Sequence, residues 1–197
     1  MQLLIDKRFD CSSVGKNLFI LQPPLTYGDP SSMAPNISRV QGFTWYPNCI
    51  FFPFRYGNGW LKVVQTDKAR MRTESSRAII LPFEVPDEGY LTVGGSIDDT
   101  DRIDLPPGQY KLLFELKTWT LGDILSTEKY QQAFDYSAKT VFRGNIPELC
   151  TVTFVPAREE VKPELLKFSS WGSNLRGEST LSPKELVLFE YLAEEPY

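Results

Sequence analysis

No histidine occurs in this 197-residue sequence, and cysteine and methionine are scarce at three each. The first absence removes the usual general base near neutral pH, the Ser-His and Cys-His dyads, and every histidine-containing metal site. Catalysis would have to run through carboxylates, lysine, tyrosine or cysteine. Cys11, Cys49 and Cys150 have neither CxxC nor zinc-ligand spacing, and their odd number allows at most one intramolecular bridge. Cys49 opens the run Cys-Ile-Phe-Phe and Cys150 lies in Leu-Cys-Thr-Val-Thr-Phe-Val, settings in which a free thiol acts as a small hydrophobe. Long hydrophobic runs are missing too. The longest, around Cys49 to Phe54, falls far short of the roughly 20 residues of a membrane span. Met1 to Asp10 lacks the basic-then-apolar order of a secretory signal. These absences predict a reduced, cytoplasmic setting, no membrane partner and no cofactor.

Aromatic residues, by contrast, are abundant, with 13 Phe, 9 Tyr and 4 Trp. A net charge of −4 and this aromatic content exclude a disordered chain. The size suits one domain spanning 1–197, burying roughly 70% of the surface its unfolded form exposes.

Short runs rich in aromatic and β-branched residues alternate with Pro, Gly, Asn and Asp. They predict strands at Leu3 to Ile5, Asn17 to Leu21, Phe43 to Tyr46, Ile50 to Phe54, Trp60 to Thr66 and Arg77 to Val85. Further strands are expected at Tyr90 to Gly94, Tyr110 to Thr118, Thr151 to Val155, Leu165 to Phe168 and Leu186 to Tyr191. No helical pattern recurs between them, so the fold class predicted is all-β, an antiparallel β-sandwich. Tyr56-Gly57-Asn58-Gly59 supplies residues tolerant of positive φ and predicts a hairpin between Ile50 to Phe54 and Trp60 to Thr66. Pro106-Pro107-Gly108 predicts a tight turn before the strand at Tyr110. One short helix is expected at Thr127 to Phe134, where Tyr130, Ala133 and Phe134 fall on one face. It lies in an insertion at 121–147, and 164–197 forms a C-terminal extension.

Charge is unevenly spread. From Glu84 to Asp104 seven acidic residues (Glu84, Asp87, Glu88, Asp98, Asp99, Asp101, Asp104) stand against Arg102 alone. From Arg55 to Arg77 six basic residues stand against Asp67 and Glu74. An acidic and a basic patch are therefore expected to coexist. Asp98 to Asp104 follows a Gly-Gly turn in the manner of a calcium loop, yet lacks the alternating ligands, central glycine and distal glutamate of an EF-hand. The plain reading is a solvated hairpin end, and no metal site is assigned. A third reading has the clustered carboxylates mimic a nucleic-acid backbone and occupy the groove of a basic partner.

Glu84 and Glu115 fall within predicted strands, where solvent-facing carboxylates far outnumber catalytic pairs, so no catalytic residue is assigned. Neither Gly94-Gly95-Ser96 nor Gly57-Asn58-Gly59 has the spacing of a phosphate loop. Trp45, Tyr46, Trp60, Trp119 and Trp171 offer an alternative ligand-binding platform for sugars, although such residues on strands more often form core or a protein interface. Lys68-Ala69-Arg70-Met71-Arg72 invites a nucleic-acid reading, but a phosphate binder spreads positive charge over a face, and acidic residues prevail here. No direct nucleic-acid binding is expected.

Several phrases resemble the competence protein J family in their order along the chain. They begin with Val40-Gln41-Gly42-Phe43-Thr44-Trp45 leading into Cys49-Ile50-Phe51-Phe52. Arg77-Ala78-Ile79-Ile80-Leu81-Pro82-Phe83-Glu84-Val85-Pro86 resembles the family's strand built on a Pro-Phe pair, and Leu91-Thr92-Val93-Gly94-Gly95-Ser96-Ile97 its short strand ending in Ser-Ile. Leu105-Pro106-Pro107-Gly108-Gln109-Tyr110-Lys111-Leu112 is similar to its Leu-Pro turn, and Cys150-Thr151-Val152-Thr153-Phe154-Val155-Pro156 to its closing strand. The resemblance spans roughly Leu3 to Pro163, poorly at 121–147, and has only a weak counterpart for 164–197. It implies no catalytic residues and a non-enzymatic binding protein, since the family's namesake is regarded as the inhibitor of a DNA-entry nuclease. A basic nuclease or toxin is the partner so implied, and the acidic residues from Glu84 to Asp104 are the surface expected to meet it.

Overall fold

The computed structural model describes residues 1–10, 17–23, 42–46, 48–53, 58–96, 99–118, 122, 126, 128, 130 and 148–168. Their strands are β1 (Gln2–Asp10), β2 (Asn17–Leu21), β3 (Thr44–Tyr46), β4 (Cys49–Pro53), β5 (Asn58–Gln65) and β6 (Arg77–Val85). β7 (Tyr90–Ser96), β8 (Asp99–Asp104), β9 (Gly108–Thr118), β10 (Glu148–Pro156) and β11 (Glu164–Phe168) follow. They form a six-stranded sheet in the order β1-β5-β10-β9-β6-β11 and a five-stranded sheet in the order β3-β4-β2-β7-β8. The sandwich expected from the strand pattern is present.

Period-two alternation decides which side chains enter the space between the sheets. On β6, Ile79, Leu81, Phe83 and Val85 join the main core, whereas Ala78 and Ile80 face outward. On β9 and β10 the inward residues are Tyr110, Leu112, Phe114, Leu116, Cys150, Val152 and Phe154. The five-stranded sheet answers with Leu18, Ile20, Ile50, Phe52, Leu91, Val93 and Ile103. Across the sandwich Phe52 stacks on Phe114, ring centroids 3.8 Å apart and 4° from parallel. The outward faces are not bare. Phe19, Leu21, Tyr46, Cys49 and Phe51 form a second cluster on the five-stranded sheet. Ala69 and Met71 pack over Ala78, Ile80 and Leu113 on the six-stranded one.

Two local expectations are corrected. The predicted hairpin from Ile50 to Thr66 does not form: β4 pairs with β2 and β3, while β5 pairs with β1 and, in parallel, with β10. Ile50 and Phe52 reach the core from one sheet, Leu61 and Val63 from the other, so β4 and β5 belong to opposite layers of the sandwich. Asn58 and Gly59 belong to β5. A Cβ on Gly59 would collide with the Glu148 carbonyl oxygen and approach Phe9 Cε1 to 3.0 Å, so the glycine serves a close backbone approach. The second correction is β8: Asp99–Asp104, expected as a solvated hairpin end, is a strand paired antiparallel with β7, held by one core side chain, Ile103.

The predicted turn before β9 is present. Gly108, at φ 135°, begins that strand, and Tyr110 Oη donates to the Pro106 carbonyl at 2.9 Å. Of the predicted helix, Glu128 and Tyr130 are helical, while its other residues and the strand expected at Leu186 to Tyr191 lie outside the described residues. Among the described residues no helix is long and apolar enough to cross a membrane.

Candidate partner-binding site

The β7–β8 hairpin carries most of the acidic segment, and its register divides the carboxylates between two ends. Asp104 pairs with Tyr90 at one end, and Asp99 pairs with Ser96 at the other. Five residue steps along the strand separate them, about 17 Å at a strand's rise. The Asp104 end adjoins the turn after β6, because Leu105 N–H donates to the Gly89 carbonyl at 3.0 Å and Val85 pairs with Gly108. Glu84, Asp87, Glu88 and Asp104 are thus neighbours by topology and all exposed. Asp98 lies outside the described residues, and only the backbone of Asp99 is described.

Not every charge in this group is free. Asp104 Oδ1 accepts a hydrogen bond from Arg102 Nε at 2.8 Å, and the Arg102 guanidinium sits 3.9 Å from the centre of the Tyr90 ring. Asp101, on the inward side of β8 with Ile103, faces β1. Its Oδ2 lies 2.7 Å from Lys7 Nζ, an ion pair by distance whose angles are not those of a hydrogen bond. Glu84, Asp87 and Glu88 have no ion pair among the described residues. The backbone carbonyl of Glu84 accepts from Gln22 Nε2 at 2.7 Å, tying the ends of β2 and β6 together. No group of three or more Cys, Asp and Glu side chains among the described residues is placed to hold a metal ion.

The basic segment lies elsewhere. Residues 66–76 run across the outer face of the six-stranded sheet, where Glu115 Oε1 accepts from the Arg72 backbone N–H at 2.7 Å and from Ser75 Oγ at 2.8 Å. Lys167 Nζ donates to the Thr73 carbonyl at 3.1 Å. Glu115 is 4% exposed, so its role is to pin this strap rather than to meet a ligand. Beside the strap an open groove of about 680 Å³ sets Lys68, Lys111, Arg158 and Lys162 against as many carboxylates, leaving no net charge to select a partner. The basic segment therefore lies on the six-stranded sheet, whereas the acidic segment starts at the end of β6 in that sheet and runs on into the β7–β8 hairpin of the other.

Of the alternative platform, the described residues Trp45, Tyr46 and Trp60 are packed. Trp45 belongs to the main core and Tyr46 to the outer cluster beside Phe51. Trp60 is 3% exposed, donates from Nε1 to Asp6 Oδ1 at 2.6 Å and meets the Tyr130 ring edge-on at 5.0 Å. Trp119 and Trp171 lie outside the described residues.

Inside the sandwich the structure holds two charges that sequence reading passes over. Arg77 is 1% exposed, its Nη1 donates to the Gly42 carbonyl at 3.1 Å, and Glu148 is 4% exposed. Burial lowers the Arg77 pKa to about 10 against the opposing pull of the Glu148 charge. Both share the inward parity of their strands. That parity, with the apolar run after each, is the signal by which they could be found. Cys49 and Cys150 are buried, and burial pushes the Cys49 thiol up to about 12.

Comparison with known proteins agrees with this architecture. A solved structure described as ComJ, inhibitor of the DNA degrading activity of NucA, from Bacillus subtilis, is similar with a TM-score of 0.55 and 11% identity, covering 79% of this chain and 98% of that one. At that identity the likeness speaks to the fold. A structure described as crocagin biosynthetic gene J has a TM-score of 0.43 and 14% identity over 80% of this chain and 98% of its own. No curated protein matches significantly. The family model described as Competence protein J (ComJ) matches residues 16–137, well over half of the sequence, and the chain therefore belongs to the competence protein J family.

Proposed function

We propose that this chain is a non-enzymatic inhibitor that neutralises a basic nuclease or toxin through an acidic face comprising Glu84, Asp87, Glu88, Asp98, Asp99, Asp101 and Asp104. Family membership is the observation that carries the reading, since the similar Bacillus subtilis structure is described as the inhibitor of a DNA-degrading activity. A nuclease concentrates positive charge where it meets phosphates. Carboxylates offered to that surface compete with DNA and speed encounter. The exposure of Glu84, Asp87 and Glu88 and their place beside Asp104 support the reading.

The test is titration of the purified chain into a DNA-degradation assay with purified NucA at rising salt. Inhibition should weaken as salt rises. The triple variant Glu84→Gln, Asp87→Asn, Glu88→Gln should inhibit at least tenfold less well at low salt, with a flatter salt dependence. Unchanged inhibition by the triple variant would remove the acidic face from the interface.

A further inference from the structure

β8 ends the five-stranded sheet, and its ladder phase follows from one bond. The donation from Leu105 N–H to the Gly89 carbonyl continues the β7–β8 register, so Leu91 with Ile103 and Val93 with Asp101 are the residues that exchange hydrogen bonds. The backbone groups of Thr100, Arg102 and Asp104 consequently point away from β7. No other strand or backbone group among the described residues takes them up. Thr100, Arg102 and Asp104 are exposed, while the Lys7–Asp101 pair joins the inward side of β8 to β1. β3 has only three residues and β11 five with a register shift; β1, the remaining edge, is longer but balances Asp6 and Asp10 against Lys7 and Arg8, so β8 is the edge whose charge selects a guest.

Unpaired strand edges invite another chain unless charge prevents it. From Asp98 to Asp104 four acidic residues stand against Arg102 in the same segment and Lys7 of β1, which pairs with Asp101, so the acidic excess remains. Two copies of β8 laid side by side would oppose like charges, which disfavours self-pairing. A strand rich in lysine or arginine meets the opposite balance. We infer that β8 is a docking edge, and that a basic extended segment of the partner nuclease adds to the five-stranded sheet through the backbone of Thr100, Arg102 and Asp104. The inference rests on the inhibitor reading and adds to it a mode of binding, in which main-chain hydrogen bonds supply affinity and the acidic side chains select the sign of the guest.

The experiment uses the full chain and two octapeptide probes, alternating Lys-Val and alternating Glu-Val, with backbone amide hydrogen exchange as the readout. The Lys-Val peptide should slow exchange at Thr100, Arg102 and Asp104 at least tenfold and leave Ile103 unchanged, while the Glu-Val peptide should do nothing. Arg102→Pro removes one outward N–H without touching the β7 ladder, so it should melt close to the parent yet lose this protection and its inhibition of NucA. Arg102→Ala, which keeps the N–H, should retain both. Absence of protection by the Lys-Val peptide, equal protection by both peptides, or full inhibition by Arg102→Pro would overturn the docking edge. Failure of the parent chain to inhibit NucA while the Lys-Val protection holds would count against the inhibitor reading and leave the edge standing.

Discussion

Lys7 Nζ stands 2.7 Å from Asp101 Oδ2, joining the outermost strand of one sheet to the outermost strand of the other. Both side chains remain about a third exposed, at 35% and 33%. Solvent screens such a pair, so its net worth is at most about 1 kcal/mol. Lys7→Met should cost no more than that in urea unfolding at low salt, and the difference should shrink in 1 M salt. A loss above about 2 kcal/mol would mean that the pair carries the closure of that side of the sandwich.

Glu115 sets a larger effect. Replacing it with leucine strands the Arg72 N–H and the Ser75 hydroxyl beneath the strap, and unsatisfied buried donors cost about 1–3 kcal/mol apiece. Glu115→Leu should destabilise by about 2–4 kcal/mol, as read by denaturant unfolding, and open 66–76 to limited proteolysis before the chain unfolds globally. Glu115→Gln keeps an acceptor oxygen and should cost less. Equal losses from the two would contradict this account of the anchor.

Gly59→Ala places a methyl group against the Glu148 carbonyl oxygen, backbone against which little can move. Overpacking of this kind costs about 1–3 kcal/mol. The substitution should lower the melting temperature by several degrees, more than Leu3→Ala, which changes a residue 55% exposed. Scanning calorimetry on the two variants decides the point.

Cys49 predicts the alkaline limb of stability. Its thiol titrates near 9.0 ordinarily and near 12 when buried, so between those values the unfolded chain has lost a proton that the folded chain keeps. Stability must then fall as pH rises from 9 towards 12, by up to about 1.4 kcal/mol per pH unit from this group. Below pH 9 the group contributes no slope. Cys49→Ala should flatten the fall even though its cavity lowers stability overall, and urea titrations from pH 8 to 11 would show it. An identical slope in the variant would assign the limb to other groups.

Much of the fold was legible in the sequence because strand signals are local. Asn17 to Leu21 and Arg77 to Val85 were bounded to the residue, each an apolar run flanked by polar or turn-forming neighbours. β8 was not legible. Asp-Thr-Asp-Arg-Ile-Asp has one apolar residue, and an edge strand needs only Ile103 to be held in place. Gly57-Asn58-Gly59 misled because glycine is ambiguous: the residue that suits a turn also suits a backbone approached closely by a neighbouring strand. The acidic and basic segments were legible as composition. The division of the carboxylates between the two ends of one hairpin depends on register. Glu115 was read as a strand carboxylate, but nothing in its neighbours announces that 66–76 will fold over it.

The parallel pairing of β5 with β10 has a consequence for the order of assembly. β10 lies between β5 and β9 in the middle of its sheet, yet it begins some ninety residues after β5 starts. On the ribosome, β5 and its antiparallel partner β1 must wait with one ladder unfilled until Glu148 to Pro156 has emerged. Contacts this distant in sequence slow folding and leave strand edges open to the wrong neighbour meanwhile. Chains stopped before residue 148 should be aggregation-prone rather than partly functional, because the last central strand to be synthesised is the one that makes the sheet continuous.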